Sequence, residues 1–475
     1  MGLGAIWIAL APGARALAGG ARPAPPDRAA GALPAREIAF LDTLERRTFR
    51  WFWDLSDPVT GLTPDRAPTP SFSSISAVGF ALTAYCVGAE RGWVSRAAAA
   101  ERVMRTLDYL WEAPQDTSVS GSIGYRGFFY HFLDARTGRR FENTELSTVD
   151  TALLLGGVLC CQSYFQRREP REQRIRAVAE SLYARADWTW AQVRPPAICH
   201  GWTPEGGFLA YDWRGYDEAM ILQILALGSP SHAVGEELWD EWTRTYRWGT
   251  FQGYEHLGFA PLFGHEYTHV WIDLRGIRDR WMAVHGIDYF ENSRRATLAQ
   301  RAYAVGNPGG FRGYGEALWG LSACDGPLDG SLSLSGRERT FRTYSARGAS
   351  FTRVEDDGTI APCALAAALP FAPREVAATL TAMRAAYDTL LFTRYGFVDA
   401  LNPTLAEEVP VHHGRVVAGI GWFDTDCLGI DQGPVVAMIE NHRSGLVWRL
   451  MRGNPHVVRG LTRAGFTGGW LDRAR

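Results

Sequence analysis

The 475-residue sequence predicts an all-α fold, a double-layered (α/α)6 helical barrel with short β-hairpin insertions at one rim. Helices that are apolar on every side alternate along the chain with helices that carry charges on one face. In addition, a segment that starts at Ile75 recurs at Leu146, an offset of 71 residues. A helix that is apolar all round must be buried on every side, whereas an amphipathic helix covers a surface. The alternation therefore describes an inner ring of helices wrapped by an outer ring.

The apolar stretches predict the inner helices. They are residues 76–87, 151–161, 219–227, 361–369 and 433–440. The charged, amphipathic stretches predict the outer helices. They are residues 36–53, 96–111, 171–190, 236–246, 288–304 and 374–392. In the third of these, Ile175, Val178 and Leu182 recur at helical spacing, which places them on one buried face.

The repeat organises the first half of the chain. Residues 75–82 match residues 146–153, and a third unit starts at Tyr216. Aromatic, glycine-containing segments precede the second and third units, at 124–143 and 201–213. The first is predicted to be a hairpin that turns at residues 136–138. Residues 325–350 predict a long loop or small β insertion, and such loops are often functional. We expect a single catalytic domain over residues 35–475.

Composition excludes several classes of function. The chain has 46% apolar and 21% charged residues, with 49 basic against 51 acidic side chains, so nothing favours binding of nucleic acid. Every basic residue is Arg, which excludes a Walker A loop and a Schiff-base lysine. The seven Cys form no C-x-x-C pair and are predicted to be buried free thiols.

The N-terminus resembles an atypical signal peptide. Residues 3–11 are apolar, 16–18 are small residues like those of a cleavage site, and 22–34 are rich in Pro, but the basic start is missing. The alternative is a disordered leader over residues 1–34. Since no apolar run reaches the ~18 residues of a membrane span, none is predicted.

Carboxylates gather where the inner helices begin. At the repeat offset, Ser74 of the first unit corresponds to Glu145 of the second, and Gly79 corresponds to Asp150. If the rings close, the starts of these helices face one shared cavity. Asp150 also has a purely structural explanation, because Ser147-x-x-Asp150 is a good capping box. Glu145 has no such capping task, which favours a functional role.

Three further positions carry acids of the same kind. Asp217 and Glu218 are adjacent in the third unit, so only one can face the cavity, and we expect it to be Glu218. Asp431 opens the last inner helix and could be a plain N-cap. Asp399 lies in a Pro-terminated aromatic turn, where an Asx-turn explains it nearly as well as function does.

Acids and flat aromatic rings together point to carbohydrate chemistry. Aromatic residues make up 12% of the chain, including 18 Trp, and their faces suit sugar rings, although they also suit a core. Glycoside hydrolysis needs one carboxylic acid to protonate the leaving oxygen and a second carboxylate to activate water or attack the sugar. The acid needs a raised pKa, from burial or from a neighbouring carboxylate.

Long ordered segments of this chain resemble the glycoamylase-domain family, glycoside hydrolase family 144, of the bacterial endo-β-1,2-glucanase type. The likeness extends over about residues 38 to 466. The segments that carry it are residues 50–66, 127–140, 145–157, 215–232, 261–276, 314–327, 358–373 and 430–450.

The resemblance implies an (α/α)6 barrel and an inverting hydrolase of β-1,2-glucan or its oligosaccharides, with no cofactor or metal. It also implies a periplasmic or secreted location, and we expect a monomer. It places in the cleft Glu145 or Asp150, Glu218, and Asp399 or Asp431. From it we predict that Glu218 donates the proton, that Asp399 activates water, and that Glu145 holds the sugar or relays a proton.

Further side chains are predicted to bind the sugar, each with core packing as the alternative. They are Trp202, Trp213, His265, His269, Trp271, Tyr314, Glu316, Trp319 and Asp431.

Two rival functions remain open from the sequence. His265-Glu266-x-x-His269 is a literal H-E-x-x-H, which on a helix would hold zinc, with Glu291 as a distant third ligand. The second rival is a glycan-binding protein without catalysis on the same scaffold.

Overall fold

A computed structural model describes residues 33–334 and 336–474 of the protein. The predicted leader, 1–34, lies almost entirely outside these residues. The helices of the described chain are α1 (Ala35–Leu55), α2 (Ile75–Glu90), α3 (Arg96–Glu112), α4 (Thr148–Tyr164), α5 (Pro170–Arg185), α6 (Met220–Gly228), α7 (Glu237–Thr243), α8 (Tyr267–Trp271), α9 (Arg280–His285), α10 (Tyr289–Gly306), α11 (Pro362–Ala367), α12 (Pro373–Tyr387), α13 (Gly429–Arg443), α14 (Leu446–Arg452) and α15 (Pro455–Arg463).

The two predicted helix types are both present. Every residue of α6 is buried, as are nearly all residues of α2 and α4, whereas α3 buries only one face, including Val103 and Leu107. The helix predicted at 171–190 ends earlier, at Arg185. It stops there because Asp187 accepts hydrogen bonds from the Thr189 hydroxyl and the Trp190 amide, which fold the next residues into a turn.

Inner helices pack side by side in a continuous series. The contacts join α11 to α13, α13 to α2, α2 to α4, and α4 to α6. Between α2 and α4 the backbones nearly touch, since a Cβ added at Gly157 would lie 2.0 Å from the carbonyl oxygen of Gly79. The short α8 packs against α4, α6 and α13. The outer helices α1, α3, α5 and α12 cover this layer, so the protein is a two-layered helical structure with small sheets.

The strands are short and lie between the helices. They are β1 (Arg66–Ala67), β2 (Ser73–Ser74), β3 (Gly124–Tyr125), β4 (Phe128–Tyr130), β5 (Phe132–Leu133), β6 (Leu146–Ser147), β7 (Gly201–Thr203), β8 (Gly207–Phe208), β9 (Trp248–Phe251), β10 (Tyr254–Leu257), β11 (Ala323–Cys324), β12 (Gly330–Leu334), β13 (Arg337–Phe341), β14 (Ser345–Ala346), β15 (Gly348–Ser350), β16 (Arg353–Glu355), β17 (Phe392–Thr393), β18 (Gly396–Phe397), β19 (Leu401–Asn402), β20 (Arg415–Val417), β21 (Gly421–Phe423) and β22 (Cys427–Leu428).

Two antiparallel sheets position the starts of the inner helices. The largest has the order β3-β4-β6-β7-β8 and sets Phe129 opposite Ser147 and Leu146 opposite Trp202. In a second sheet β1 pairs with β22, so that Arg66 lies opposite Leu428, directly before α13. Strands from distant parts of the chain thus bring the N-termini of α4 and α13 to the same end of the helical layers as the segment around Arg66.

The β segments largely follow the prediction. A turn at residues 134–138 is closed by the amide of Gly138, which donates to the carbonyl of Asp134. Its arms extend into a larger sheet than the simple hairpin predicted. Residues 325–350 contain the β12–β13 hairpin, as expected for a small insertion.

The repeat is real but its structural register differs from the sequence alignment. Ser74 caps α2 through the amide of Ala77, and Ser147 caps α4 through the amide of Asp150. Ser74 is therefore equivalent to Ser147 rather than to Glu145, and the predicted pairing of Gly79 with Asp150 is wrong as well. The apolar run hides this two-residue shift, because small apolar residues match at either offset.

The seven cysteines are free and buried, which confirms that prediction. Among the described residues, no helix combines the length and apolarity needed to cross a bilayer.

Candidate active site

An imidazolium group links two of the predicted acids at the start of α4. His131, between β4 and β5, places Nδ1 2.9 Å from Glu145 and Nε2 3.5 Å from Asp150. Burial alone would lower the pKa of His131, but the charges of Asp150 and Glu145 raise it to about 9. Burial would raise the pKa of Glu145, yet the hydrogen bond from His131 holds it below its usual value. At neutral pH this group consists of a cation and an ionised Glu145.

The predicted capping role of Asp150 is confirmed in part. Its backbone amide donates to the Ser147 hydroxyl at 3.2 Å, while that hydroxyl donates to the Asp150 carboxylate at 2.5 Å. The charge of Asp150 also acts on His131 and on Glu218. The side chain therefore serves the helix terminus and the electrostatics of the site together.

Glu218 and its neighbour Asp217 differ in environment, as adjacent acids must. The Asp217 carboxylate accepts a hydrogen bond from the amide of Ala219 at 2.9 Å, so it turns back onto its own backbone. Burial, together with the charge of Asp150, raises the pKa of Glu218 to about 7. Glu218 is only partly exposed, and near neutral pH it can carry the proton that a general acid delivers.

A second group of acids centres on Asp399. Asp399 Oδ2 accepts from the backbone amide of Asp325 at 2.7 Å, and Asp431 lies beside it at the start of α13. Burial and the neighbouring Asp431 and Asp325 raise the pKa of Asp399, while burial raises the pKa of Asp431 to about 7. Asp399 and Asp431 therefore form a close carboxyl pair in which burial opposes the ionisation of both side chains.

Arg66 supplies the positive charge for this group. Its guanidinium nitrogen lies 2.5 Å from Asp325 Oδ2, and the Asp325 side chain is almost completely buried. The β1–β22 pairing and the hydrogen bond from the Asp399 amide to the carbonyl of Asp426 hold these segments together. Since Arg66 also acts on Asp399, it limits how far the pKa of that carboxyl rises.

The two groups of acids belong to one site. Tyr267 donates a hydrogen bond to Asp431 at 3.4 Å, and the charges of Asp431 and Glu218 both act on its hydroxyl. Burial raises the pKa of Asp65, and the positive charges of both Arg66 and His131 oppose this rise. Acids that are far apart in the sequence thus lie around Tyr267 and Asp65, and the predicted roles of Glu145, Glu218 and Asp399 stay predictions.

Several residues of this site were not predicted from the sequence. Arg66, His131, Asp325 and Tyr267 lie in none of the predicted helix starts. Tyr344, from the insertion at 325–350, is 38% exposed. Burial and the charges of Asp431 and Asp399 raise the pKa of its hydroxyl, so Tyr344 lies near these acids. The only earlier signal for it was the expectation that this insertion is functional.

The predicted sugar-binding aromatic residues divide into two groups. Trp271 and Trp319 are fully buried, and their indole N–H groups donate to Thr83 and Thr379 in the core. Their predicted sugar contact is wrong, because neither ring has a face open to a ligand. Trp202 is half-buried and lies across the sheet from Leu146, next to Glu145, so its role stays a prediction.

The remaining predicted sugar-binding residues are held by neighbours. Trp213 donates to Thr148 at 3.0 Å and is mostly buried, whereas Tyr314 donates to Asp356 at 2.7 Å. Glu316 is exposed and pairs with Arg301. None of these contacts prevents a sugar from binding, and the assignments stay predictions.

The H-E-x-x-H residues do not assemble into a zinc site. His265 donates to the carbonyl of Phe259 and accepts from the Tyr216 hydroxyl, while His269 contacts the Ser293 hydroxyl at 3.1 Å. Glu291 is engaged by Arg294 and Arg295. Burial lowers the pKa of both histidines to about 3, so they are neutral core residues. Each is 1% exposed, so the predicted sugar contacts of His265 and His269 are both wrong.

One group of side chains in the described part of the chain has the geometry to hold a metal ion. Carboxylate oxygens of Asp325, Asp399 and Asp424 lie within 4.8 Å of one another. Such oxygens suit a hard cation. Arg66 already places its guanidinium against Asp325, however, and so provides the compensating charge at this position.

Comparisons with known proteins identify the family of this chain. The Glycoamylase family model, described as "Putative glucoamylase", matches residues 210–455. A solved "putative glucoamylase" from Bacteroides uniformis is 30% identical, with 93% of this chain and 100% of that chain covered and a TM-score of 0.79. An endo-β-1,2-glucanase from Chitinophaga pinensis, solved with sophorotriose and glucose, is 26% identical over 92% of this chain and 100% of that one, with a TM-score of 0.77.

A curated relative adds a named activity. The exo β-1,2-glucooligosaccharide sophorohydrolase (non-reducing end) of Parabacteroides distasonis is 26% identical over 466 residues, which cover 90% of this chain. The matched part spans 58% of the length of that relative.

Proposed function

The chain belongs to the glycoamylase family, and on that premise we propose that it is a glycoside hydrolase acting on β-1,2-linked glucan or its oligosaccharides. The observation that carries the proposal is the pairing of two carboxyl environments in one site. The pKa of Glu218 is raised to about 7, and the charges of Glu218 and of Asp431, the partner of Asp399, both act on the Tyr267 hydroxyl. The named activities of the Chitinophaga and Parabacteroides relatives supply the substrate class.

We propose that the reaction inverts the anomeric carbon. Glu218 donates its proton to the glycosidic oxygen as the bond from that oxygen to the anomeric carbon breaks. The ionised member of the Asp399–Asp431 pair takes a proton from a water molecule, whose oxygen bonds to the anomeric carbon from the opposite face. Each turnover consumes one water, and a proton must then return from the pair to Glu218.

Glu145 supports this reaction as an ionised sugar ligand. His131 keeps its pKa low, so it can accept hydrogen bonds from sugar hydroxyls at neutral pH. Its side chain is 25% exposed, which leaves an oxygen accessible to a ligand. Trp202, next to it across the sheet, would then provide an apolar face for the same sugar ring.

The finer architecture belongs to the same proposal. The series α11, α13, α2, α4 and α6, with the segment that leads into α8 between α6 and α11, supports six inner positions and hence an (α/α)6 barrel. We also propose one catalytic domain over residues 35–475, a monomer, and action in the periplasm or outside the cell. The atypical N-terminal signal supports the location.

Incubation with linear β-1,2-glucan and with other linear β-glucans tests this function. We expect sugar release from β-1,2-glucan, loss of 10²–10⁴-fold in kcat for Glu218→Gln, and little change for Asp217→Asn. Asp217→Asn is the matched control because Asp217 bonds its own backbone, and because burial and the charge of Glu218 raise its pKa and so oppose its ionisation. Binding of β-1,2-glucan without any cleavage by the wild-type protein would instead establish a glycan-binding protein.

A further inference from the structure

A concave arginine-rich surface lies outside the acid cleft. It is a pocket of about 560 Å³ between α1, the turn after α2 and the turn between β17 and β18. Its lining residues are Asp42, Thr43, Arg46, Arg47, Arg50, Arg91, Trp93 and Arg394. We call this set the arginine pocket.

The arginine pocket is distant from the acids. It includes Arg91, at the C-terminal end of α2, whereas Ser74 caps the other end of that helix near the start of the acid cleft. Sixteen helical residues separate these ends, which corresponds to ~24 Å at 1.5 Å per residue. A ligand of the arginine pocket would therefore not contact Glu218 or Asp399.

Positive charge in the pocket exceeds the negative charge that neutralises it. Arg50 and Arg394 both pair with Asp54, and Arg91 pairs with Asp42 at 2.7 Å. The exposed Arg46 forms no hydrogen bond or ion pair with any other residue that the structure describes. Five guanidinium groups thus share the two carboxylates of Asp42 and Asp54.

The floor of the pocket does not correct this imbalance. Glu45 is fully buried beneath Arg91, with its Oε2 3.8 Å from the guanidinium Nε, too far for a hydrogen bond. Glu45 Oε2 and Arg91 Nε are both left without a hydrogen-bond partner within the described residues. Burial raises the pKa of Glu45 to about 8, and its Oε1 accepts a hydrogen bond from Arg443, which lies outside the pocket lining, so this carboxyl does not neutralise the exposed guanidinium groups.

We propose that the arginine pocket binds a phosphate monoester or a related multivalent oxyanion. Planar guanidinium groups donate two parallel hydrogen bonds to phosphate oxygens, and groups from three separate segments can surround one such anion. Trp93, with Arg91 5.3 Å from its ring centroid, forms an apolar wall beside the charges. A phosphorylated sugar would place its phosphate among the arginines and its ring against this wall.

Calorimetric titration at constant ionic strength tests the proposal with three ligands, inorganic phosphate, glucose 6-phosphate and glucose. We expect saturable binding of both phosphates, with affinity at least tenfold lower in the double variant Arg46→Gln, Arg394→Gln. Any binding of glucose, which the acid site can accept, should be the same in the double variant and in the wild type. Arg36→Gln, an exposed arginine on α1 outside the pocket, is the matched control and should bind like the wild type. Tighter binding of glucose 6-phosphate than of phosphate would assign part of the recognition to the sugar.

The proposal is overturned if neither phosphate binds saturably, or if the double variant and Arg36→Gln bind phosphate equally well. Hydrolysis of β-1,2-glucan by the double variant should equal that of the wild type, because the pocket is remote from the acids. The two proposals therefore succeed or fail independently. Circular dichroism of the double variant would confirm that it is folded, as expected for exposed side chains.

Discussion

The protonation of Glu218 predicts the pH dependence of hydrolysis. With a pKa raised to about 7 by burial and by Asp150, the side chain is ~90% protonated at pH 6, ~10% at pH 8 and ~1% at pH 9. Because only the protonated form can donate to the leaving oxygen, kcat should fall about tenfold per pH unit above 7. Initial rates of reducing-sugar release from β-1,2-glucan, measured at saturating substrate between pH 5 and 9, check this.

Glu218→Gln should remove the activity and, with it, the fall in kcat above pH 7. Asp431→Asn is needed as a control because Asp431 also titrates near pH 7. The fall in kcat above pH 7 should persist in the activity that Asp431→Asn retains. An aryl β-sophoroside with a good leaving group should lose less activity in Glu218→Gln than the glucan does, since it needs less protonation. A wild-type profile that stays flat up to pH 9 would refute the assignment of Glu218.

The raised pKa of Glu218 also makes the stability of the fold decrease as the pH rises. The unfolded chain loses the Glu218 proton near pH 4.5, whereas the folded chain keeps it until about 7. The stability due to this group is therefore fully present below pH 4.5 and lost as the pH rises through 7. Glu218→Gln avoids this loss, so at pH 8 it should be more stable than the wild type, by on the order of 2 kcal/mol in urea unfolding. Equal or lower stability at pH 8 would contradict the burial argument.

Three further predictions concern other parts of the structure. The pKa of His131, raised to about 9, stabilises the fold below pH 6.5 and this contribution disappears as the pH rises through 9. Urea unfolding should therefore show His131→Gln less stable by on the order of 2 kcal/mol at pH 6 and nearly equal at pH 10, and a gap independent of pH would count against the imidazolium. Trp271→Ala should cost about 3–5 kcal/mol, with KM for β-1,2-glucan unchanged in the folded protein, whereas a rise in KM alone would return Trp271 to the cleft. Gly157→Ala should lower the thermal midpoint, with a cost of about 1–3 kcal/mol or more from the contact with Gly79, and an unchanged midpoint would argue against the close approach of α2 and α4.

The helical layers were predictable because burial leaves a direct pattern in the sequence. The runs at 76–87 and 151–161 are apolar on every face, and they became the buried helices α2 and α4. The exact alignment of the two repeats was not predictable in the same way. Ser74 and Ser147 are structurally equivalent, whereas the match between the apolar runs is shifted by two residues. A capping hydroxyl was the better marker, because its role depends on one backbone amide.

Most of the predicted acids were found because they begin apolar helices, and Asp399 was found from its position in a Pro-terminated turn. Glu145, Glu218 and Asp431 precede or open apolar helices, so the pattern located them. Arg66 and His131 come from loops and short strands whose partners lie far away in the chain, and no local pattern indicates them. Trp271 was instead predicted to bind the sugar but lies in the core, stacked on Phe80. The sequence does not distinguish such a core ring from one that faces a sugar.

The most direct test of the central claim follows the anomer released from linear β-1,2-glucan by proton NMR during the first turnovers. We expect the first product to be the α-anomer, which then mutarotates. We also expect Glu218→Gln and Asp399→Asn to release little sugar while still binding the glucan. Initial release of the β-anomer, or wild-type rates in both variants, would contradict it.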